Sequence, residues 1–307
     1  MTVLVPTMGA LHKGHQGLIK RARTLDKDVI VSIFVNPLQF ENKEDLEKYP
    51  RSPERDIEVA TIAGANEVWF PEYEDLFPEG FKTLSAGALG SLYEGASRPG
   101  HFDGVVTVID RLFAIAKPDK AIFGEKDFQQ LTIVKAMKSK VEIIAVPTVR
   151  EFDGLAMSSR NARLSETGRN NALVIHRALA AAKLAPSIEI AQEILNTTLS
   201  TEPGFDKDYA TIISLSLTST TPSAPLSVDP VPQAASVLAP AIAPAPTSSE
   251  RRVTWARMIE RASGDNFSGS FLISSLSLVG FASNLGEIYQ ALRFVITCLI
   301  RVYSSNP

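Results

Sequence analysis

The chain has 307 residues, a length that suits two domains or one large domain with a tail. Charged residues make up 21% of the sequence, hydrophobic residues 45%, and the net charge is −3. This balance excludes the basic surface that nucleic-acid binding requires and favours small, soluble substrates. The single cysteine, Cys298, excludes an intramolecular disulfide and a cysteine-based zinc cluster, which predicts a reducing, cytoplasmic location. The N-terminus shows no basic region followed by a long apolar run, so we expect no signal peptide.

Up to about Arg169, short β-branched runs alternate with amphipathic stretches. This alternation predicts an α/β fold in which a doubly wound parallel sheet is flanked by helices. Apolar residues after His15 recur at a helical period, and two further stretches show the same pattern at Val105 to Ala116 and Leu131 to Met137. The predicted strands are Val3 to Pro6, Val29 to Val35, Glu67 to Phe70, Ala121 to Phe123 and Val141 to Val146.

The sequence changes character along its second half. A helix is predicted from Ser165 to about Lys183, and a strand at Tyr209 to Ile213 would belong to a second, smaller unit. Residues 218–249 hold seven prolines and one charge, which predicts a disordered or extended linker. We therefore divide the chain into an N-terminal domain at 1–150, a smaller unit at 151–217, this linker, and a tail at 250–307.

The tail contains a possible short charged helix at Glu250 to Ala262 and a strongly apolar stretch at Phe271 to Tyr303. No charge occurs from Asn266 to Gly286, which just reaches the length of a membrane span. Serine, asparagine and glycine are frequent in that stretch, so a packed helix separate from the catalytic part is predicted, and a membrane partner is not.

The first motif that carries chemistry is MGALHKGH at Met8 to His15, where the first predicted strand passes into a helix. Ligands collect at the carboxyl ends of strands in open α/β sheets, and a helix N-terminus there offers N–H groups to phosphate oxygens. Gly9 and Gly14 let a nucleotide approach the backbone, and His12 and His15 could donate to its phosphates. A glycine-containing turn with two surface histidines is the alternative.

A second motif, MSSRN at Met157 to Asn161, combines two hydroxyls with a guanidinium. This combination suits a mobile loop that closes on a triphosphate, with Arg160 neutralising its charge. An ordinary helix N-cap is the alternative interpretation.

A third motif, GEKD at Gly124 to Asp127, follows a predicted strand directly. Lys126 could reach a phosphate as a point charge. Asp127 could orient that lysine or cap the helix that begins at Phe128, and capping is the interpretation favoured for Asp127 alone. Two neutral residues near strand ends, Gln39 and Gln130, suit recognition of a hydroxyl and a carboxylate, although each alone is more often a surface glutamine.

Together these residues closely resemble the pantothenate synthetase family, within the nucleotidylyltransferase superfamily that shares His-x-Gly-His. Six blocks in order carry the resemblance, and their number makes a chance match improbable. They are VPTMGALHKGH at 5–15, FVNPLQF at 34–40, YPR at 49–51, EGASRPGHFDGVVTV at 94–108, FGEKDFQQL at 123–131 and VREFDGLAMSSRN at 149–161. The resemblance covers about residues 3–214, and the residues after about 215 lack the family's usual ending.

The resemblance implies a Rossmann-like ATP-binding domain, a smaller C-terminal lid and a homodimer. It implies ATP-dependent condensation of (R)-pantoate with β-alanine to pantothenate, AMP and pyrophosphate through a pantoyl adenylate, with Mg²⁺ accompanying ATP. The catalytic residues it implies are His15, in the position of the usual proton donor, with His12, Lys126 and Arg160. Gln39 and Gln130 match the pantoate-binding glutamines, and Gln39 also faces β-alanine. The implied ATP-binding residues are Met8, Gly9, Ala10, Leu11, His12, Lys13, Gly14, His15, Gly124, Glu125, Lys126, Asp127, Val149, Met157, Ser158, Ser159 and Arg160.

Asp56 is a candidate magnesium ligand, with a surface helix carboxylate as the alternative. Two other functions stay open. Another His-x-Gly-His adenylyltransferase would share the first motif without needing Gln39 and Gln130, and an inactive nucleotide-binding remnant would bind ATP without turnover. Only the ligase makes AMP release depend on both pantoate and β-alanine.

Overall fold

The computed structural model describes residues 1–202, 205–215, 270–273, 278–281 and 293–303. The predicted linker at 218–249 and the possible helix at Glu250 to Ala262 lie outside these residues. The first five strands lie where the sequence predicts them, and each observed strand end differs from the predicted one by at most two residues. They are β1 Thr2–Thr7, β2 Asp28–Ile33, β3 Glu67–Trp69, β4 Lys120–Gly124 and β5 Glu142–Val146.

Nine helices are found among the described residues, several of them a single turn. The longer ones are α1 Lys13–Leu25, α3 Pro53–Ala63, α6 His101–Ala116, α7 Phe128–Ala136, α8 Glu166–Lys183 and α9 Ile188–Ser200. The short ones are α2 Lys43–Glu47, α4 Tyr73–Leu76 and α5 Glu94–Ser97. The structure thus confirms the four helices predicted within residues 1–202. Helix α8 begins after Ser165, whose Oγ accepts the backbone N–H of Gly168 at 3.0 Å as an N-cap.

The five strands form one parallel sheet in the order β3-β2-β1-β4-β5. Successive residues of β1 point to opposite faces: Val3 and Val5 pack in a cluster with α1 and α3, while Leu4 packs with α6 and α7. Both faces are therefore covered by helices, which confirms the predicted α/β class. The strand order reverses between β1 and β4, and a crevice at the carboxyl ends of these two strands is the expected ligand site.

A third hydrophobic cluster lies outside the sheet. It is built from residues between Leu155 and Ile212, chiefly on α8 and α9, and its largest fully buried members include Ile175, Leu179 and Leu195. The predicted division of the chain at residue 150 stays a prediction. Strand β6, Phe205–Leu215, follows α9 and extends the predicted strand at Tyr209 to Ile213.

The prediction of a packed helix at Phe271 to Tyr303 is wrong. Three strands occur there instead, β7 Ser270–Ile273, β8 Leu278–Phe281 and β9 Arg293–Tyr303, and β9 pairs antiparallel with β6 along its length. These three strands therefore belong to the same sheet as β6. The β-branched content of β9, which includes Val295, Ile296 and Thr297, favours this pleated arrangement.

None of the described helices meets the length and apolarity that a membrane crossing requires.

Candidate functional site

A cleft opens at the strand-order reversal, at the carboxyl ends of β1 and β4. All three sequence motifs contribute to its lining. Among the lining residues are Met8, His12, Gly14, His15, Gln39, Tyr49, Glu94, Arg98, His101, Gly124, Lys126, Asp127, Gln130, Val149, Met157, Ser158, Ser159 and Arg160. The structure thus brings together both candidate glutamines and the four residues proposed to act on phosphate, although they come from segments more than 100 residues apart.

The rings of His12 and His15 lie against each other at the start of α1, with centroids 4.1 Å apart and planes tilted by 38°. His12 Nδ1 accepts the backbone N–H of Gly14 at 3.0 Å, and His15 Nδ1 accepts the backbone N–H of His12 at 3.2 Å. Each neutral ring therefore carries its proton on Nε2, which is the donor left for a ligand. The reciprocal hydrogen bonds form a capping box made of two histidines.

Both imidazoles are neutral at pH 7. Burial and the charge of Lys126 lower the pKa of His12 to about 4. Burial, followed by the neighbouring His12 and Lys126, lowers the pKa of His15 well below its usual value. The two rings therefore act as neutral donors, and the positive charge at this end of the cleft comes from Lys126 and Arg160. A bound polyphosphate would raise both pKa values because negative charge favours the protonated ring.

Gly14 is required for this pair. A Cβ at Gly14 would lie 2.7 Å from Cε1 and 2.8 Å from Nδ1 of His12, where the ring accepts the backbone hydrogen bond. Any side chain at this position would displace the His12 ring. The glycine therefore keeps the His12 donor in place and also leaves room for a ligand to approach the backbone.

Asp56 is buried beneath the first motif and is only 1% exposed. Its carboxylate accepts the backbone N–H of Ala10 at 2.9 Å, that of Leu11 at 2.7 Å, and the hydroxyl of Ser52 at 3.2 Å. Ala10 has a φ of +49°, a conformation that side-chain-bearing residues rarely adopt, and Asp56 holds it there. The interpretation of Asp56 as a surface carboxylate is wrong, and its use as a backbone acceptor does not favour the role of magnesium ligand.

Lys126 and Asp127 follow β4 in a 3-10 turn at Glu125–Asp127. Lys126 Nζ donates to Asp127 Oδ1 at 3.0 Å, so the aspartate orients the lysine at the edge of the cleft. Helix α7 does begin at Phe128, but the side chain of Asp127 makes no capping hydrogen bond. The favoured interpretation of Asp127 as a helix cap is therefore wrong, and the alternative of a lysine partner is what the structure shows.

The second motif lies against the segment that carries α2. Arg160 Nη2 lies 3.2 Å from Asp45 Oδ2, and Arg163 Nη1 lies 3.2 Å from Asp45 Oδ1. The Arg160 guanidinium also lies 5.6 Å from the ring centroid of Tyr49, whose hydroxyl is 3.4 Å from Ser159 Oγ. Ser158 Oγ accepts the backbone N–H of Arg160 and so caps the 3-10 turn at Ser159–Arg163, which is close to the alternative interpretation of this motif as an N-cap. These contacts hold Arg160 at the rim of the cleft.

The two predicted substrate glutamines, Gln39 and Gln130, both line the cleft. Gln39 is 7% exposed, and its Oε1 accepts from Asn36 Nδ2 at 2.9 Å. Gln130 is half-buried on α7. Its neighbour Gln129 points away and donates to the carbonyl oxygens of Leu89 and Leu92, both at 2.8 Å. Of the two adjacent glutamines, the one that the sequence analysis selected, Gln130, is the one that lines the cleft.

Five of the predicted ATP-binding residues are not among those that line the cleft. Leu11 is in the hydrophobic core, Lys13 is exposed at the first residue of α1, and Gly9 lies against Asp56 and Ile33. Ala10 and Glu125 occupy the turns that precede α1 and α7. Any contact of these residues with a nucleotide stays a prediction.

Sequence reasoning gave no role to several residues that the cleft contains, above all Glu94, Arg98 and His101. They belong to the block EGASRPGHFDGVVTV, which contributed to the resemblance without a function. A signal was present, because Glu94 and Arg98 are four residues apart, the spacing at which opposite charges meet on a helix.

The described residues contain no group of three or more histidine, cysteine, aspartate or glutamate side chains placed to hold a metal ion. The carboxylates near the cleft already have partners: Asp127 pairs with Lys126, Glu94 with Arg98, and Asp56 with backbone N–H groups. These residues do not fit a magnesium site of the protein's own.

The family model described as pantoate-beta-alanine ligase matches residues 1–243 of the chain. The match extends past residue 215, where the resemblance in the sequence motifs stops. Among curated relatives, the pantothenate synthetase of Thermus thermophilus is 47% identical over 223 residues, covering 68% of this chain and 79% of that protein. The pantothenate synthetase of Nocardia farcinica is 47% identical over 222 residues and covers 70% of each chain.

Solved structures agree with the sequence relatives. The crystal structure of pantothenate synthetase from Thermus thermophilus has a TM-score of 0.66 and 46% identity, covering 69% of this chain and 80% of that one. Pantoate-beta-alanine ligase from Francisella tularensis, crystallised with beta-gamma ATP and beta-alanine, has a TM-score of 0.60 and 35% identity, covering 69% and 83%. With the motifs gathered in one cleft, and with sequence and structure matching over most of its length, the chain belongs to the pantoate-beta-alanine ligase family.

Proposed function

We propose that the chain catalyses the ATP-dependent condensation of (R)-pantoate with β-alanine to give pantothenate, AMP and pyrophosphate through a pantoyl-adenylate intermediate. The observation that carries the proposal is the meeting, in one cleft, of two neutral histidine donors, two cations and two neutral glutamines. The family and the complex of the Francisella relative with beta-gamma ATP and beta-alanine support these substrates.

In the first half-reaction, a carboxylate oxygen of pantoate attacks the α-phosphorus of ATP, and the bond from that phosphorus to the bridging oxygen of the β-phosphate breaks. Negative charge moves onto the leaving pyrophosphate and the α-phosphate oxygens. The Nε2–H groups of His12 and His15 and the charges of Lys126 and Arg160 are placed to stabilise it. Because both rings are neutral and fixed by backbone hydrogen bonds, they need no reorganisation during the step.

In the second half-reaction, the neutral amine of β-alanine attacks the acyl carbon of the adenylate. The bond from that carbon to the AMP oxygen breaks, AMP leaves, and the new amide nitrogen loses a proton. The mixed anhydride already stores the activation, so no nucleophilic side chain is required and positioning supplies most of the remaining acceleration. Gln39 and Gln130 are the proposed positioning groups for pantoate, and Gln39 also for β-alanine.

The surroundings of the reaction are part of the proposal. Mg²⁺ enters as the companion of the ATP phosphates, which suits a cleft whose carboxylates already have partners. In this proposal the nucleotide binds where the strand order reverses, as in Rossmann-like domains. Residues 1–150 form the domain that binds ATP and pantoate. The unit at 151–217 closes over the bound substrates as a lid. A cytoplasmic homodimer is proposed from the family resemblance and the single cysteine.

An AMP-formation assay with each substrate omitted in turn tests the proposal. We expect AMP to appear only when ATP, pantoate and β-alanine are all present, because the adenylate stays bound until the amine arrives. Pyrophosphate release without free AMP, with the AMP group transferred to a different acceptor, would assign the chain to another adenylyltransferase activity. Binding of ATP with no AMP under any combination would identify an inactive nucleotide-binding protein.

A further inference from the structure

A cluster of three polar side chains forms part of the cleft wall beside Gln39. Arg98 Nη1 lies 2.8 Å from Glu94 Oε1, and the side chains are only 12% and 6% exposed. Arg98 Nη2 donates to the backbone carbonyl oxygen of Gln39 at 3.0 Å. His101 Nδ1 lies 2.9 Å from that same oxygen, and its ring is buried. Two side chains thus converge on one carbonyl of a proposed substrate-binding residue.

The roles in this cluster follow from the chemistry of the atoms. A carbonyl oxygen can only accept, so His101 must donate from Nδ1. Burial, together with the positive charge of Arg98, lowers the pKa of His101 to about 3, so the ring is neutral at pH 7 and its Nε2 carries no proton. The lone pair on Nε2 then accepts from Arg98 Nη1 at 3.3 Å. The neutral tautomer of His101 with its proton on Nδ1 therefore satisfies both hydrogen bonds of the ring.

The cluster is itself anchored. Glu94 supplies the charge that keeps the buried Arg98 paired, which matters because an unpaired buried charge is strongly unfavourable. Burial raises the pKa of Glu94, and the adjacent Arg98 opposes that shift. The backbone N–H of Glu94 donates to Gln129 Oε1 at 3.1 Å, which ties α5 to α7.

The consequence for Gln39 is a fixed backbone and a fixed side chain. Its carbonyl oxygen is held by Arg98 and His101, while its Oε1 accepts from Asn36. Helix α6 approaches so closely that a Cβ at Gly104 would lie 2.3 Å from the carbonyl oxygen of Leu38. With Oε1 already bonded, the amide Nε2 is the polar group of Gln39 that remains to donate to a ligand.

We propose that Arg98 and His101 are positioning residues for pantoate recognition, acting through the backbone carbonyl of Gln39. This inference rests on the proposed function, because it takes Gln39 as a pantoate-binding residue. Neither side chain touches the reacting atoms. Their effect is to hold the Gln39 amide where a hydroxyl or carboxylate oxygen of pantoate can accept from it, which is how remote groups contribute to the geometry of a site.

A matched pair of variants tests the role of His101. Asparagine places its amide nitrogen near the position of Nδ1 and keeps the donor to Gln39, whereas glutamine reaches the position of Nε2 and loses that donor. We expect His101→Asn to keep the pantoate KM within about twofold and His101→Gln and Arg98→Met to raise it about tenfold, the effect of losing one buried hydrogen bond. The ATP KM should change less than about twofold in all three.

The exposed Asp110 on the same helix offers a control, and Asp110→Asn should match the wild type. The inference is overturned if the pantoate KM is the same in His101→Asn and His101→Gln, or if the ATP and pantoate KM values rise together with a fall in the unfolding midpoint. The latter pattern would show a purely structural role. If Arg98→Met does not fold, the two His101 variants decide the question.

Nitrogen NMR of His101 gives a readout that does not depend on turnover. We expect a neutral ring protonated at Nδ1 from about pH 5 to pH 9, since its pKa lies near 3. A ring protonated at Nε2 would overturn the inference. Wild-type enzyme that forms no AMP in response to pantoate would instead refute the proposed function, and the two failures are therefore distinct.

Discussion

The carboxylate of Asp56 lies 2.7 Å from the backbone nitrogen of Leu11, across 45 positions of sequence. With a second hydrogen bond to Ala10, it fixes the turn that leads into the histidine pair. Asp56→Asn replaces one of the two acceptor oxygens by a donor that faces a backbone N–H. We expect the ATP KM to rise about tenfold and the unfolding midpoint to fall, because a charge-assisted acceptor for a buried N–H is lost.

Magnesium titration separates this role from metal binding. If Asp56 supports the turn, the magnesium concentration for half-maximal activity should be unchanged in Asp56→Asn. A large increase in that concentration, with no loss of thermal stability, would show that Asp56 is a magnesium ligand after all. Glu54→Gln, at an exposed position of the same helix, is the matched control and should behave as wild type.

The donor role of His15 can be measured by removing and then restoring its Nε2–H group. His15→Ala should lower adenylate formation about 100-fold, since one preorganised donor contributes about 3 kcal/mol to transition-state stabilisation. His15→Gln places an amide donor near Nε2 and should recover part of the loss. Single-turnover measurement of pyrophosphate release reports this step directly. Equal rates in wild type and His15→Ala would contradict the assignment, and Lys20→Ala, on the exposed face of α1, is the control.

The adjacent residues Gln129 and Gln130 should give opposite phenotypes. Gln130→Ala should raise the pantoate KM with little change in the ATP KM or in stability, because its side chain faces the cleft. Gln129→Ala removes partners from two carbonyl oxygens and from the N–H of Glu94, so it should lower the unfolding midpoint. Steady-state kinetics and thermal unfolding of the two variants check this. Loss of ATP and pantoate affinity together in Gln130→Ala would indicate a folding role.

Stability should fall with acidity through the buried histidines. The pKa of His101 is about 3 in the folded protein and that of His12 about 4, both below the ordinary value of 6.5. Between these values the unfolded chain binds protons that the folded chain does not, so stability is fully present above about pH 6.5 and is lost as pH falls toward 4 and 3. Denaturant unfolding of wild type and His101→Asn should show a shallower decline for the variant. Parallel declines would contradict the burial of a neutral His101.

Local patterns predicted the parallel sheet and helices α1, α6 and α7, because each buries a face whose spacing is visible in the sequence. The apolar run at residues 271–303 was assigned wrongly, since a run without clear periodicity fits a buried helix or a strand, and the partner strand β6 lies far away in sequence. The chemistry of the motif residues His12, Lys126 and Arg160 made them candidates, and all three line the cleft. The role of Asp56 in holding the turn and the cluster at Arg98 were not predicted, because both consist of contacts to backbone atoms of distant segments.

The transfer of an oxygen atom from pantoate to AMP tests the central claim most directly. The full chain is incubated with ATP, β-alanine and pantoate labelled with ¹⁸O in its carboxylate, and the AMP is analysed by mass spectrometry. Attack of the carboxylate on the α-phosphorus, followed by cleavage at the acyl carbon, leaves one labelled oxygen on each AMP. We predict AMP that carries a single ¹⁸O and forms only with both substrates present. AMP that forms without label, or without pantoate, would contradict the proposed adenylate route.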